Sequence, residues 1–291
     1  MIECTLCPRA CKADREGTLG VCQSGTMPKI ARAALHHWEE PVISGDRGSG
    51  TVFFSGCSLK CVFCQNTDIS HGNFGKTVSA ERLREIFFEL IEKGAHNINL
   101  VNPTHWADPI LKALDAPLPV PVVYNTGGYD SVDTLKKFDG KINIYLPDMK
   151  YADGALAAKY SKAADYPEIN KAAVLEMFRQ TGSYEIDDNG IMRRGVIIRH
   201  LILPNNLENT FRVIDWVEET FSPGEVLFSL MSQFTPAGNL SEFPELQRRL
   251  NEEEYDLCYG YLADTDIEDG FFQELSSAKE EYIPPFNLEG V

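Results

Sequence analysis

From residue 51 onward, short apolar runs rich in β-branched side chains alternate with segments whose apolar residues recur every three or four positions. The runs at 51–55, 96–101, 120–124, 141–146, 195–202 and 226–231 read as six strands, each followed by a candidate helix. The clearest helix covers 79–93: Ser79 can cap it, Leu83, Ile86, Phe87, Leu90 and Ile91 share one face, and Gly94 stops it. Weaker helical patterns run through 131–138, 153–163, 167–180 and 207–221. Strands alternating with helices are the signature of parallel βαβ units, so the expected class is α/β. Six repeats suit a partial barrel or an open doubly wound sheet, and periodicity alone does not separate the two.

Residues 1–50 follow a different grammar, rich in Cys, Gly and charge with little periodicity, and read as a small metal-stapled extension ahead of a domain at 51–291. With 291 residues, 43% of them hydrophobic, the chain can bury a large core. No stretch reaches the roughly 18 apolar residues of a membrane span. The first residues, Met1 to Arg9, lack the basic-then-apolar order of a signal peptide, so the expected location is the cytoplasm. Eight cysteines in a reducing compartment point to metal rather than disulfides. Four fall at Cys4, Cys7, Cys11 and Cys22, three at Cys57, Cys61 and Cys64, and Cys258 stands apart.

The net charge of -16 is uneven: residues 205–291 carry 4 basic and 19 acidic side chains, against 23 and 24 in the rest. That balance argues against nucleic-acid binding, which needs clustered Lys and Arg. The acidic part reads as a solvated surface.

The run Phe53-Phe54-Ser55-Gly56-Cys57-Ser58-Leu59-Lys60-Cys61-Val62-Phe63-Cys64 sets three thiols in a loop after the first of the six strands, on the side where βα barrels do chemistry. Three thiolates can hold one iron–sulfur cube while leaving an iron open to a substrate. A closed zinc or iron–sulfur site completed by Cys258 or an N-terminal cysteine is the structural alternative.

The spacing Cys57-x3-Cys61-x2-Cys64, with Phe63 before the last cysteine, resembles the motif of the radical S-adenosylmethionine superfamily. From about Cys4 to Phe286 the chain resembles the homologues of pyruvate formate-lyase activating enzyme. That resemblance implies a partial (β/α)6 barrel and a [4Fe-4S] cluster on Cys57, Cys61 and Cys64. It also implies reductive cleavage of S-adenosylmethionine to a 5'-deoxyadenosyl radical in an anaerobic, oxidoreductase-type enzyme. The implied partners are a reductant such as flavodoxin or ferredoxin and a glycyl-radical enzyme or peptide that gives up a hydrogen.

The resemblance further implies that Phe63 lends backbone contacts to the adenine, with Gln65 and Asn66 continuing the loop. Activating enzymes carry a Gly-Gly-Glu type motif after the second strand, where this chain has Val101-Asn102-Pro103-Thr104-His105; Asn102, Thr104 or His105 would supply polar contacts instead. Tyr124-Asn125-Thr126-Gly127-Gly128 resembles an Asp-Thr-Asn-Gly segment and makes Asn125 and Thr126 cofactor contacts. Pro147-Asp148-Met149-Lys150 matches an Asp-x-Lys pattern in which Lys150 pairs with the methionine carboxylate and Asp148 helps bind a monovalent cation. Arg199, with His200 beside it, and Gln233 stand where relatives place further cofactor contacts.

Cys4-x2-Cys7-x3-Cys11-x10-Cys22 offers four soft ligands, enough for zinc or for a second iron–sulfur cluster. Cys258, among Tyr255, Leu257 and Tyr261, reads as a core residue. Three functions follow in order: a radical enzyme acting on a partner protein's glycine, radical modification of a peptide or small metabolite, and a non-catalytic iron–sulfur or zinc scaffold.

Overall fold

The computed structural model describes residues 3–273, 275 and 284–291, so the reading of the chain start lies outside it at Met1 and Ile2. The strands are β1 (Lys29–His36), β2 (Ser49–Phe54), β3 (Lys76–Thr77), β4 (Ile98–Val101), β5 (Val122–Thr126), β6 (Ile144–Pro147), β7 (Glu185–Ile186), β8 (Met192–Leu201), β9 (Leu227–Met231) and β10 (Gly270–Phe272). The helices are α1 (Pro41–Ser44), α2 (Thr67–Ser70), α3 (Ala80–Glu92), α4 (Ala107–Ala113), α5 (Val132–Lys136), α6 (Gly154–Ser161), α7 (Tyr166–Thr181), α8 (Leu207–Thr220) and α9 (Glu252–Ala263).

The sheet runs β10-β9-β8-β6-β5-β4-β2-β1-β3, with β7 paired to β8. Strands β2, β4, β5, β6, β8 and β9 are the six expected repeats, each parallel to the next. Their order in space is their order in sequence. A doubly wound sheet would reverse at a switch point; this one keeps winding in one sense and forms the partial barrel. The barrel stays open, because its edges are taken by β1 and β3, antiparallel, on one side and β10 on the other.

Residues 29–36, within the segment expected to be an irregular extension, run as β1 against β2. Their apolar content is mostly alanine, which leaves a weak strand signal, and pairing with β2 supplies what propensity does not. Strand β8 begins three residues earlier than expected. Asp187 to Gly190 turn the chain into a β7–β8 hairpin, with Gly190 at φ +76°.

Alternation along the strands makes two cores. Val52, Phe54, Ile98, Leu100, Tyr124, Tyr145, Val196 and Ile198 face outward and meet the helices. On α3, capped by the Ser79 side chain, Leu83, Ile86, Phe87 and Leu90 are buried, each contributing roughly 1.5–3 kcal/mol. Inside the barrel, Val123, Ile144, Leu146, Ile197 and Leu227 close on Val42 and Ile43 of α1. Asn97, at the foot of β4, donates to the Ile43 carbonyl at 2.7 Å, so α1 plugs the barrel at the amino ends of its strands. The opposite end is free for a site.

Candidate active site

A cavity of about 270 Å³ opens at the carboxyl ends of the six parallel strands. It is lined by Cys57, Cys61, Phe63 and Cys64 after β2, Asn102 after β4, Asn125 and Thr126 on β5, Asp148 and Lys150 after β6, Arg199 on β8, and Gln233 after β9. Gln65, Asn66 and Thr104 also line it. His105 and His200 do not.

Each of the three thiols faces a hydrogen-bond donor. The Leu59 N–H lies 3.4 Å from Cys57 Sγ, the Ser161 hydroxyl 3.0 Å from Cys61 Sγ, and the Ser70 hydroxyl 3.2 Å from Cys64 Sγ. Burial pushes the Cys57 thiol up and the Cys64 thiol up to about 12, with the neighbouring cysteines adding to both. Only a bound cation makes thiolates favourable in such a place, and donors aimed at sulfur suit thiolate ligands. The set therefore fits an iron–sulfur cluster. The loop turns at Gly56, φ +85°, where a side chain would collide with the Cys22 carbonyl at 2.5 Å.

Opposite the thiols lies a buried charge network. Lys150 Nζ bonds Asp148 Oδ2 at 2.5 Å, and Arg199 bonds Asp148 Oδ1 at 3.0 Å, Asn125 Oδ1 at 2.7 Å and Glu39 Oε2 at 3.2 Å. Burial alone would raise the Asp148 carboxyl, but Arg199 and Lys150 hold it below the usual range. Burial likewise opposes the Lys150 charge, and the Asp148 carboxylate outweighs it, so the ammonium is retained. Two cations and two carboxylates balance, as buried charges must. Both Asp148 oxygens are met by side-chain cations, which stand where the resemblance implied a monovalent ion.

Several expected contacts have other partners. The Asn102 amide, at φ +60°, donates to the Gly56 carbonyl at 2.7 Å and so holds the cysteine loop. Asn125 bridges Arg199 and Glu39. The Thr126 hydroxyl donates to Asp130 at 2.7 Å, and Thr104 and Tyr124 bond the same carboxylate. His105 bonds the Ser55 carbonyl at 2.9 Å, behind the loop. His200 Nδ1 meets the Met149 carbonyl at 2.6 Å and Nε2 meets Thr210 of α8 at 2.9 Å, because alternation on β8 turns it out when Arg199 turns in. Phe63 packs edge-on against Tyr160 and Phe234. Gly127 and Gly128 admit close packing: at Gly128, φ +78°, a Cβ would lie 2.1 Å from the Asp148 carbonyl.

Sequence reasoning missed Glu39, Glu40, Asp130 and Ser161. Glu40 accepts from Ser229 at 2.8 Å, and burial pushes its carboxyl up, with Arg199 only partly offsetting that. A paired Glu-Glu-Pro before an apolar turn was the available signal. Ser161 carries none, since it is the last residue of α6 and meets Cys61 only in three dimensions.

The N-terminal cysteines sit on an irregular segment, Cys7 and Cys22 buried, Cys4 half-buried and Cys11 exposed. Burial pushes the Cys7 thiol up to about 12, and Cys22, Cys4 and Cys11 add to the rise. Gly20 leaves room for the Cys11 sulfur, which a Cβ there would approach to 2.4 Å. Among the described residues, no three His, Cys, Asp or Glu side chains stand as ligands around one metal ion. An iron–sulfur cube asks something else of its thiolates, which bind separate irons. Cys258 is fully buried on α9 and belongs to the outer core.

The chain is 31% identical over 261 residues to the uncharacterized protein MJ0674 of Methanocaldococcus jannaschii, spanning 86% of this chain and 71% of that one. The protein belongs to the MJ0674 family. No family model matches the chain. Among solved structures, Streptococcus suis SuiB bound to S-adenosylmethionine superposes with a TM-score of 0.51 at 12% identity, over 77% of this chain and 50% of SuiB. A second structure of Streptococcus suis SuiB gives 0.50 at 13% identity, over 80% of this chain and 50% of SuiB. The MJ0674 family member thus spans about half of SuiB's length, and the likeness is one of fold. Among the described residues no helix is long and apolar enough to cross a membrane.

Proposed function

We propose that the protein is a radical S-adenosylmethionine enzyme whose cluster ligands are Cys57, Cys61 and Cys64. The observation that carries the reading is the convergence, in one cavity, of three thiols that each meet a donor and a paired Lys150 ammonium across from them. The motif spacing and the fold shared with an S-adenosylmethionine-bound protein support it. A [4Fe-4S] cluster bound there supplies the electron that splits S-adenosylmethionine into methionine and a 5'-deoxyadenosyl radical.

The protein's own residues bind, orient and shield. Lys150 gives one N–H to Asp148 and keeps two for a methionine carboxylate. Asp148 and Arg199 fix that ammonium in place, and Glu39 and Asn125 fix Arg199. Phe63, between Tyr160 and Phe234, walls the loop from water beside the adenine position. Asn102 holds the loop backbone, and Gln233 adds a polar wall after β9. Cys4, Cys7, Cys11 and Cys22 would hold a second iron–sulfur cluster, whose thiolates bind separate irons, while the zinc alternative loses ground because, among the described residues, no three of them group around one ion.

The hydrogen abstracted is taken to be a glycine's on a partner protein, on the strength of the whole-chain resemblance to activating enzymes, with flavodoxin or ferredoxin as reductant. Two features favour a second reading, modification of a peptide or small metabolite. The segment after β4 lacks the Gly-Gly-Glu pattern, and the extra cysteines precede the three-cysteine loop. A protein-borne glycyl radical seen by electron paramagnetic resonance identifies the first; an altered molecule seen by mass spectrometry identifies the second.

The test is 5'-deoxyadenosine production by anaerobically reconstituted, dithionite-reduced protein given S-adenosylmethionine, beside a Cys57, Cys61 and Cys64 triple Ala variant. Product from the unmodified protein alone is expected. No product from protein shown to hold its reduced cluster returns the chain to the scaffold reading.

A further inference from the structure

We propose that Arg9 is a positioning residue that ties the N-terminal cysteine segment to the cluster loop and sets the hydrogen bond Ser161 makes to Cys61. The proposal rests on the reading of Cys57, Cys61 and Cys64 as cluster ligands.

Arg9 stands two residues after Cys7, inside the N-terminal cysteine segment. Its guanidinium reaches across the fold: Nε donates to the Ser58 carbonyl at 2.9 Å, Nη2 to the Ser161 carbonyl at 2.8 Å, and Nη1 to the Lys162 carbonyl. The same group lies 5.3 Å from the centre of the Tyr129 ring, which lines the cavity. Ser58 follows the first cluster ligand. Ser161 and Lys162 end α6, where carbonyls lack intrahelical partners and a cation is favoured.

Ser161 is fully buried. Its hydroxyl has one proton and directs it to Cys61 Sγ at 3.0 Å, so the Tyr151 hydroxyl, 2.7 Å away, donates to Ser161 in turn. Hydrogen bonds to cluster sulfurs stabilise the reduced, more negative state and raise the reduction potential. A turn of helix that holds such a donor must itself be held, and Arg9 grips two carbonyls of that turn. Lysine cannot copy a planar fork that meets three carbonyls. The chain of contacts runs from Arg9, two residues after Cys7, through Ser161 to Cys61, so the placement of the N-terminal cysteine segment is felt at a cluster ligand.

The experiment is a redox titration of the full-length, reconstituted protein. It follows by electron paramagnetic resonance the signal that changes on adding S-adenosylmethionine, in Ser161→Ala, Arg9→Lys, Arg9→Ala and the Arg9→Ala, Ser161→Ala pair. Ser161→Ala is expected to lower the one-electron reduction equilibrium about tenfold, a shift of about 59 mV to more negative potential. Arg9→Ala should move the same way by part of that, Arg9→Lys by less. The pair should match Ser161→Ala alone, because both act through one hydrogen bond. A merely structural Arg9 would lower the melting temperature and leave the potential where it was. An unmoved potential in Arg9→Ala, or shifts that add in full, overturns the proposal. Iron content separates the two readings: without iron that Cys57→Ala removes, the cluster reading fails and takes this one with it. With that iron present and Arg9→Ala inert, only this proposal fails.

Discussion

The two cysteine groups are built in opposite ways. Cys57, Cys61 and Cys64 sit on a loop that leaves β2, the first of the six parallel strands, walled by Asn102, Ser161, Ser70 and Phe63. The sheet carries the loop, and residues from other strands only trim it. Cys4, Cys7, Cys11 and Cys22 lie on no strand or helix themselves, although Leu6 beside them is buried in the outer core and Cys4 packs against it. Two arginines add polar ties to the rest of the fold: Arg9 as described, and Arg15, which bonds the His105 carbonyl at 2.5 Å and lies 5.4 Å from the Trp106 ring. The lesson is that position at a strand end makes a site by topology, whereas an irregular segment needs long cations with many donors to pin its backbone.

The sharpest way to break this comparison is a pair of glycine substitutions. Gly128→Ala puts a Cβ against the Asp148 carbonyl and the Asn170 amide in a positive-φ backbone. The barrel should lose about 3–5 kcal/mol or fail to fold. Gly20→Ala collides with the Cys11 sulfur and otherwise makes only an ordinary contact with the Ala13 Cβ, both within the N-terminal segment, so thermal melting should leave the barrel intact while metal analysis shows loss at the N-terminal cysteines. A barrel that unfolds with Gly20→Ala would show that the segment is part of the core.

Lys150→Met comes next. It removes the charge partner expected for a carboxylate, so S-adenosylmethionine affinity by equilibrium dialysis should fall about 10–100-fold, the size of one or two charge-assisted hydrogen bonds. Iron content should be unchanged. Unaltered affinity would take Lys150 out of the site.

A pH effect should follow from the two buried histidines. Burial holds both His105 and His200 down to about 4, with the hydrogen bond from each ring to a carbonyl working the other way. Unfolded histidine titrates near 6.5. Between those values the unfolded chain binds the extra protons, so the contribution is complete above about 6.5 and lost as pH falls toward 4. Denaturant melts should show the decline over that window, roughly 3 kcal/mol for each histidine at most. His200→Asn should flatten it, and an unchanged slope would place the acid sensitivity elsewhere.

The smallest effect is reserved for the eighth cysteine. Cys258→Ala removes one buried sulfur on α9 and should cost about 1–2 kcal/mol, with iron and zinc content unaltered. Lost metal would make Cys258 a ligand.

The sequence by itself determined the six repeats, the cap at Ser79, and the cysteine loop after the first of the parallel strands. Those signals are local: alternation, a capping hydroxyl, and a spacing of thiols. It also named Asp148, Lys150 and Arg199, which are legible because a strand-end position and a charge are both written in the chain. Barrel against open sheet was beyond it, since both have the same periodicity and differ only in which strands become neighbours. The same holds for Glu39 against Arg199 and for Ser161 against Cys61. Partners 160 and 100 residues apart leave no local trace. His105 and His200 faced away from the cavity for a related reason: polarity can be read from one residue, but the side of a strand or turn on which it falls is decided by register.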